Sequence, residues 1–187
     1  MRLLALAAAA CFAACGTSPP TRFYTLNPVA PHVHPQSSAS APIKVDAVHV
    51  PAILDRESMV LGEAGNQLKI SSQNRWGADF SEMARRVLTQ DLRDRLPEGM
   101  VVSPQAPAPE NARGLVIDIL NFSPNSDGQV LLDADWVLLQ GNPARSVLQH
   151  TVHLDGHGAM TAEGEAATMS RLLGQLADQI AAQLNSR

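Results

Sequence analysis

The two cysteines of this chain, Cys11 and Cys15, stand four residues apart near its start. Paired thiols at that spacing suggest a disulfide, a redox pair or half of a metal clip. A closed structural metal site needs four nitrogen or sulfur donors, and no further Cys exists to complete one. His150, His153 and His157 follow one another at steps of three and four, which on a helix is metal-ligand spacing. Thr151, Val152 and Leu154 make this segment a strand, however, and an offset of three on a strand points side chains to opposite faces. His150 and His153 therefore cannot share an ion, and no metal site is expected. Asp133 and Asp135 do share one strand face. Such a pair can do acid–base work, or it can line the wet side of an antiparallel sheet, and the second is the expectation. A Gly-x-Ser-x-Gly nucleophile elbow and a Gly-x4-Gly-Lys-Ser/Thr phosphate loop are both missing, so neither a serine hydrolase nor an ATPase is indicated. No catalytic residue is expected.

The sequence around the cysteines gives them a different chemistry. Arg2 precedes an almost unbroken apolar run from Leu3 to Ala14. That run is too short to span a bilayer, which takes about 20 apolar residues. A basic start, a short apolar stretch and small residues at its end describe a secretory signal. The run closes on Phe12-Ala13-Ala14-Cys15 with Gly16 next, which resembles the lipobox of bacterial lipoproteins, with Phe12 where Leu is usual. In that motif the Cys sulfur takes a diacylglycerol, the signal is cut just before the Cys, and the new amine is acylated. Cys15 is the expected lipid-attachment site. Cys11 is the competing position, but it would leave a signal of only ten residues. Cleavage at Cys15 leaves a mature chain with no other thiol, which suits an oxidising compartment.

Residues 1–14 then form the signal and residues 15–42 a Pro/Ser-rich tether. Such a composition cannot bury enough apolar area to fold alone. One island interrupts it, Phe23-Tyr24-Thr25-Leu26, and is expected to dock on the domain as a short strand. Residues 43–187 make a single domain. The mature length of 173 residues is ample for one hydrophobic core. With aromatics at 4%, that core must be built from aliphatic side chains. The formal charge is −4 with no run of Lys or Arg, so nucleic acid is not an expected partner.

The elements follow from periodicity. Ile43-Lys44-Val45-Asp46-Ala47-Val48 alternates with period two and ends before Pro51, which marks a half-buried strand. Met59-Val60-Leu61 and Gln67-Leu68-Lys69-Ile70 flank a five-residue turn and form a hairpin. Asp79 and Glu82 have the spacing of a capping box. Phe80, Met83, Val87, Leu88, Leu92 and Leu96 then recur at helical steps until Pro97. Trp76 is expected to pin the start of this helix, with Arg75 at the surface. The stretch from Gly114 to Phe122 is so apolar that it reads as a central strand covered on both faces. Residues 129–140 and 146–154 complete a meander. Glu163 or Glu165 opens a last helix with a buried stripe from Met169 to Leu184. The fold class is α/β, a mixed sheet of about five strands flanked by two helices.

Read together, the island Phe23-Tyr24-Thr25-Leu26, the segment Val48-His49-Val50-Pro51-Ala52-Ile53-Leu54-Asp55-Arg56 and the Arg75-Trp76-Gly77 step before the first helix resemble the PqiC/YmbA-type ABC transport auxiliary lipoproteins. The motifs occur in that family's order over nearly the whole mature chain, with Gly77 where the family often has a larger residue. The resemblance implies a three-layer α/β domain similar to the N-terminal domain of TolB. It also implies a non-catalytic lipoprotein of the Gram-negative envelope that works in lipid transport with an MCE-domain protein (PqiB-like) and its inner-membrane partners. Gly16 after the modified Cys resembles the sorting pattern for the outer membrane, facing the periplasm. No cofactor is implied beyond the covalent lipid on Cys15. Ile53, Asp55, Arg56 and Met59 place apolar and charged groups side by side and are the candidate partner-contact loop. A homo-oligomer is compatible with this reading. The alternative is a periplasmic lipid-binding carrier lipoprotein with an apolar cavity of its own.

Overall fold

The computed structural model describes residues 19–31, 41–125 and 127–185. Along the chain it contains β1 (Arg22–Tyr24), β2 (Ile43–His49), β3 (Ser58–Ala64), β4 (Gln67–Trp76) and helix α1 (Phe80–Arg95). These are followed by β5 (Arg113–Pro124), β6 (Gln129–Gln140), β7 (Arg145–His157) and helix α2 (Ala162–Asn185). Among the described residues the class is mixed α/β with two helices, as the sequence indicates. The strands, however, divide between two sheets rather than forming one of about five: a four-stranded sheet in the order β2-β5-β6-β7 and a three-stranded sheet in the order β1-β4-β3.

Edge pairing explains the division. β3 and β4 turn on Gly65-Asn66, with Gly65 at φ 59°, so the hairpin turn is tighter than the five residues expected. The other edge of β4 is taken by β1, which adds in parallel with Arg22 opposite Asn74 and Tyr24 opposite Trp76. The outer edge of β2 is occupied in turn: Ile43 bridges Val101, with Ile43 N donating to the Met100 carbonyl at 2.8 Å.

Both helices lie on one face of the four-stranded sheet. α1 packs on β2 and on α2, and α2 packs on β6 and β7. The sheet turns a continuous apolar surface toward them. Leu115, Ile117 and Ile119 of β5 stand in register with Leu138, Trp136 and Ala134 of β6, all of them buried. This corrects the expectation that β5 is covered on both sides. It is central, but its second face is open, with Leu120 56% exposed. Apolar content on that face comes from Val116 and Leu120, which a mixed sheet with one face open to water tolerates.

The joint between the two sheets is aromatic. Trp76 ends β4 and meets Phe80 edge-on at 5.2 Å, and Phe80 meets Phe122 of β5 edge-on at 5.9 Å. Burying three such rings contributes several kcal/mol and fixes the start of α1 between the sheets. At its other end α1 stops at Leu96, extended at φ −110° and ψ 157°. Pro97 disfavours a helical backbone at the residue before it.

Candidate functional site

The N-terminal segment does not hang free of the domain. After β1 the chain runs as a strap over both helices. Arg86 Nη2 on α1 donates to the Leu26 carbonyl at 2.8 Å, and Asn27 N donates to Ser170 Oγ on α2 at 3.1 Å. Leu26 itself is wholly buried. Three residues after Leu26, Val29 N donates to Asp91 Oδ1 at 2.8 Å, while Arg95 Nη1 donates to the Val29 carbonyl at 3.1 Å. Gly174 makes room for this crossing, because a Cβ there would sit 3.1 Å from Val29 Cβ.

A buried charge cluster underlies the strap. Arg95 Nε donates to Asp178 Oδ1 at 2.6 Å, and Arg95 Nη1 also donates to the Asp91 carbonyl at 3.0 Å and lies 3.6 Å from Asp91 Oδ1. Asp91 and Arg95 are both sealed from water, and Asp178 is a quarter exposed. Burial lifts the Asp91 carboxyl to about 6, against the opposing pull of the Val29 N–H and the Arg95 charge. Desolvation wins because much of the guanidinium is committed to Asp178 and to two backbone carbonyls. One cation thus ties α1, α2 and the strap together. Sequence reading missed this cluster, although a signal was present. Asp91 and Arg95 interrupt the apolar stripe of α1 four residues apart, where an acid and a base can pair along the buried side.

The candidate contact loop splits in two. Ile53, Asp55 and Arg56 lie on the surface, and Leu54 between them is buried as the loop's anchor. Met59 is fully buried on β3 and cannot meet a partner, because the strand alternation turns it into the core. Asp55 has a structural task as well. Its Oδ1 accepts from Ser81 N at 3.4 Å and from Ser81 Oγ at 3.3 Å, at the start of α1. The expected capping box is not formed, since Asp79 makes no side-chain cap bond. The helix start is supplied with an acceptor from the loop after β2 instead. Trp76 and Arg75 sit as expected: Trp76 is buried, and Arg75 is an outer residue held to Glu57 at 3.0 Å. Cys15 lies outside the described residues.

The histidines and the carboxylate pair fall where strand geometry sends them. His153 Nδ1 lies 2.7 Å from Asp133 Oδ1 on the open face of the sheet, and Thr151 Oγ1 donates to Asp135 Oδ1 at 2.6 Å on the same face. His150 is on the opposite face, stacked on Trp136 at 5.0 Å. Each carboxylate of the Asp133/Asp135 pair thus has its own hydrogen-bonding neighbour on an exposed surface.

One further titratable group is buried. Glu165, in the first turns of α2, is 6% exposed, and its Oε1 has no hydrogen-bond partner. Burial alone raises its carboxyl to about 8. It lines a cavity of about 80 Å³ between α2 and the ends of β5 and β6. The helix cap comes from Thr161, whose Oγ1 accepts from Gly164 N at 3.1 Å, so Glu165 is a core residue rather than the residue that opens the helix.

The family model of the ABC-type transport auxiliary lipoprotein component matches residues 24–181. The chain belongs to that family. Its members are lipoprotein components of ABC-type transport, so the chain has an accessory role in transport and is an anchored protein of the cell envelope. Among the described residues no helix is long and apolar enough to cross a membrane. No match was found among curated proteins. Among solved structures, a crystal structure of a protein described only as uncharacterized is similar at TM-score 0.66 and 21% identity, covering 90% of this chain and 98% of its own. A Xanthomonas campestris protein of the DUF330 family is similar at TM-score 0.67 and 15% identity, covering 88% and 95%. At such identities these two likenesses establish the shared fold.

Proposed function

We propose that the chain is a lipid-anchored, non-catalytic subunit at the periplasmic face of the outer membrane, which docks the far end of a periplasm-spanning MCE assembly in lipid transport. The observation that carries this reading is the family match over residues 24–181, which begins at the docked N-terminal segment. The lipobox at Cys15 and the strap supply the physical logic. Three acyl chains on Cys15 give effectively permanent attachment, where a single chain holds only marginally. The strap carries the chain from β1 onto both helices, so a pull from the N-terminal side is borne by the helical layer. The outer face of the sheet and the loop around Ile53, Asp55 and Arg56 remain available to a protein partner. A carrier that takes lipid into its own interior needs an apolar pocket of at least about 300 Å³. The cavity beside Glu165, at about 80 Å³, is far below that, and the larger groove along α1, at about 600 Å³, is open and lined by Glu82, Arg85, Arg86 and Arg93, so it is not an apolar interior.

The test is affinity purification of the full lipoprotein from detergent-solubilised envelope. Recovery of an MCE-domain protein is the expected result. Eluates that hold no MCE-domain protein, from cells that express one, contradict the docking role. Lipid bound stoichiometrically to the delipidated mature chain favours the carrier alternative.

A further inference from the structure

An open groove of about 600 Å³ runs along the outer side of α1. The strap contributes Pro28 to it, and the loop after α1 contributes Ser103. Three guanidiniums line it: Arg85, Arg86 and Arg93. Arg85 is matched by the Glu82 carboxylate, 2.7 Å away and itself in the groove. The other two are not matched. Arg86 donates to the Leu26 carbonyl at 2.8 Å and, at a long 3.5 Å, to Thr25 Oγ1, while Arg93 donates to Ser103 Oγ at 2.7 Å. Among the described residues neither has a carboxylate within ion-pairing distance. A guanidinium carries five N–H donors, so each keeps most of its donors unspent. Arg86 and Arg93 lie two turns apart, about 10 Å along the helix, and so on the same side. The chain as a whole is acidic, at −4, so this groove is a local concentration of cation and not part of a general positive field.

We propose that the groove binds phosphate-bearing headgroups of anionic phospholipid in the bilayer to which the chain is attached. The proposal rests on the anchoring reading above. The lining offers far more donors than acceptors, and a guanidinium holds a phosphate through two parallel N–H bonds. The tether selects the source. Six residues separate Cys15 from Arg22, where β1 begins, and the seven Cα-to-Cα steps between them reach no more than about 25 Å. β1 ends against the start of α1, with Gly77 N donating to the Tyr24 carbonyl at 2.8 Å, and the groove starts at Ala78. The tether therefore joins the domain beside the Ala78 end of the groove, which makes the anchoring leaflet the lipid surface that the groove meets first.

The probe is the mature chain produced from Gly16 onward, which lacks the anchor but keeps every described element. It is sedimented with vesicles of phosphatidylcholine alone or mixed with phosphatidylglycerol. Binding is expected only to the mixed vesicles and should weaken as salt rises. Arg93→Gln should lower the affinity about five- to tenfold, and with Arg86→Gln the loss should exceed about tenfold, as charge-assisted hydrogen bonds disappear. Because Arg86 also holds the strap, Arg93→Gln with an unchanged melting curve is the decisive variant. Equal binding to both vesicles, or an unaffected Arg93→Gln variant, overturns the proposal. Inorganic phosphate competing as well as a soluble short-chain phosphatidylglycerol makes the site a free-phosphate site, and tighter capture of poly-glutamate makes it a site for acidic protein, and either overturns the lipid assignment. The probe has no lipid of its own, so its result is independent of whether Cys15 is acylated in cells.

Discussion

Replacing Arg95 by Met tests whether the buried cluster holds the strap to the helices. The substitution keeps the apolar stem of the side chain and removes only the cation. It leaves Asp178 without its 2.6 Å donor, the Val29 and Asp91 carbonyls without theirs, and the Asp91 carboxylate with no opposite charge beside it. Removing one partner of a buried charge pair costs about 3–5 kcal/mol. For a chain of this size that is a fall in Tm of about 6–20 °C, at about 2–4 °C per kcal/mol. The loss should grow with pH. Without the guanidinium the folded state favours a protonated Asp91 still more strongly, so the penalty for ionising it rises as pH climbs through and beyond about 6, where Asp91 already titrates in the native protein. Urea unfolding at pH 5 and at pH 8 measures both effects. Adding Asp91→Asn and Asp178→Asn to the variant should restore a large part of the loss, because no charge is then left stranded. A cost below about 1 kcal/mol for the single variant, or a triple variant no more stable than the single, would refute the cluster's proposed role.

Two other substitutions probe separate sites. Glu165→Gln imitates the protonated acid, so the variant should match the native protein below about pH 5 and exceed it in alkali. Raising a carboxyl from 4.5 to about 8 means that folding stability is lost progressively as pH rises across that range, by roughly 3–5 kcal/mol in all, and a chemical-denaturation series should show the variant spared that loss. Asp55→Ala removes the side-chain acceptor at the start of α1 and should cost about 0.5–1 kcal/mol in the same assay, the lower end of capping losses because its contacts are long. A variant of Asp55 that lost partner binding with no change in stability would assign that residue to the interface alone.

What could be read from the sequence depended on whether the deciding contacts were local. The alternation of Ile43, Val45 and Val48, and the helical recurrence of Phe80, Met83, Val87 and Leu88, state one buried face each, and those faces are buried. Trp76, expected to pin the start of the helix, does so through its ring contact with Phe80. Contacts between distant segments were hidden. The acceptor at the start of α1 comes from Asp55, twenty-six residues before Ser81, while the locally plausible Asp79 makes no such bond. The strap was hidden for a different reason. Residues 27–31 have the composition of a linker, and they are held chiefly through their backbone N–H and C=O groups, which carry no side-chain pattern. Only the charged pair inside the apolar stripe of α1 hinted that something polar crosses there. The basic groove was equally scattered. Arg86 and Arg93 look like ordinary exposed helix residues until the strap and the loop at residues 103–105 rise beside them. The division into two sheets was hidden as well, because it shows in pairings between distant segments, such as that of the three-residue β1 with β4.

The proposed function depends most directly on the chemistry at Cys15, since a strap built into the helices serves attachment only if something is attached ahead of it. Intact-mass and N-terminal peptide mass spectrometry of the native protein, isolated from envelope, reads that chemistry. The account predicts a chain starting at Cys15, bearing a thioether-linked diacylglycerol and an acylated amine. A chain that retains residues 1–14, or one that begins at an unmodified Cys15, contradicts it.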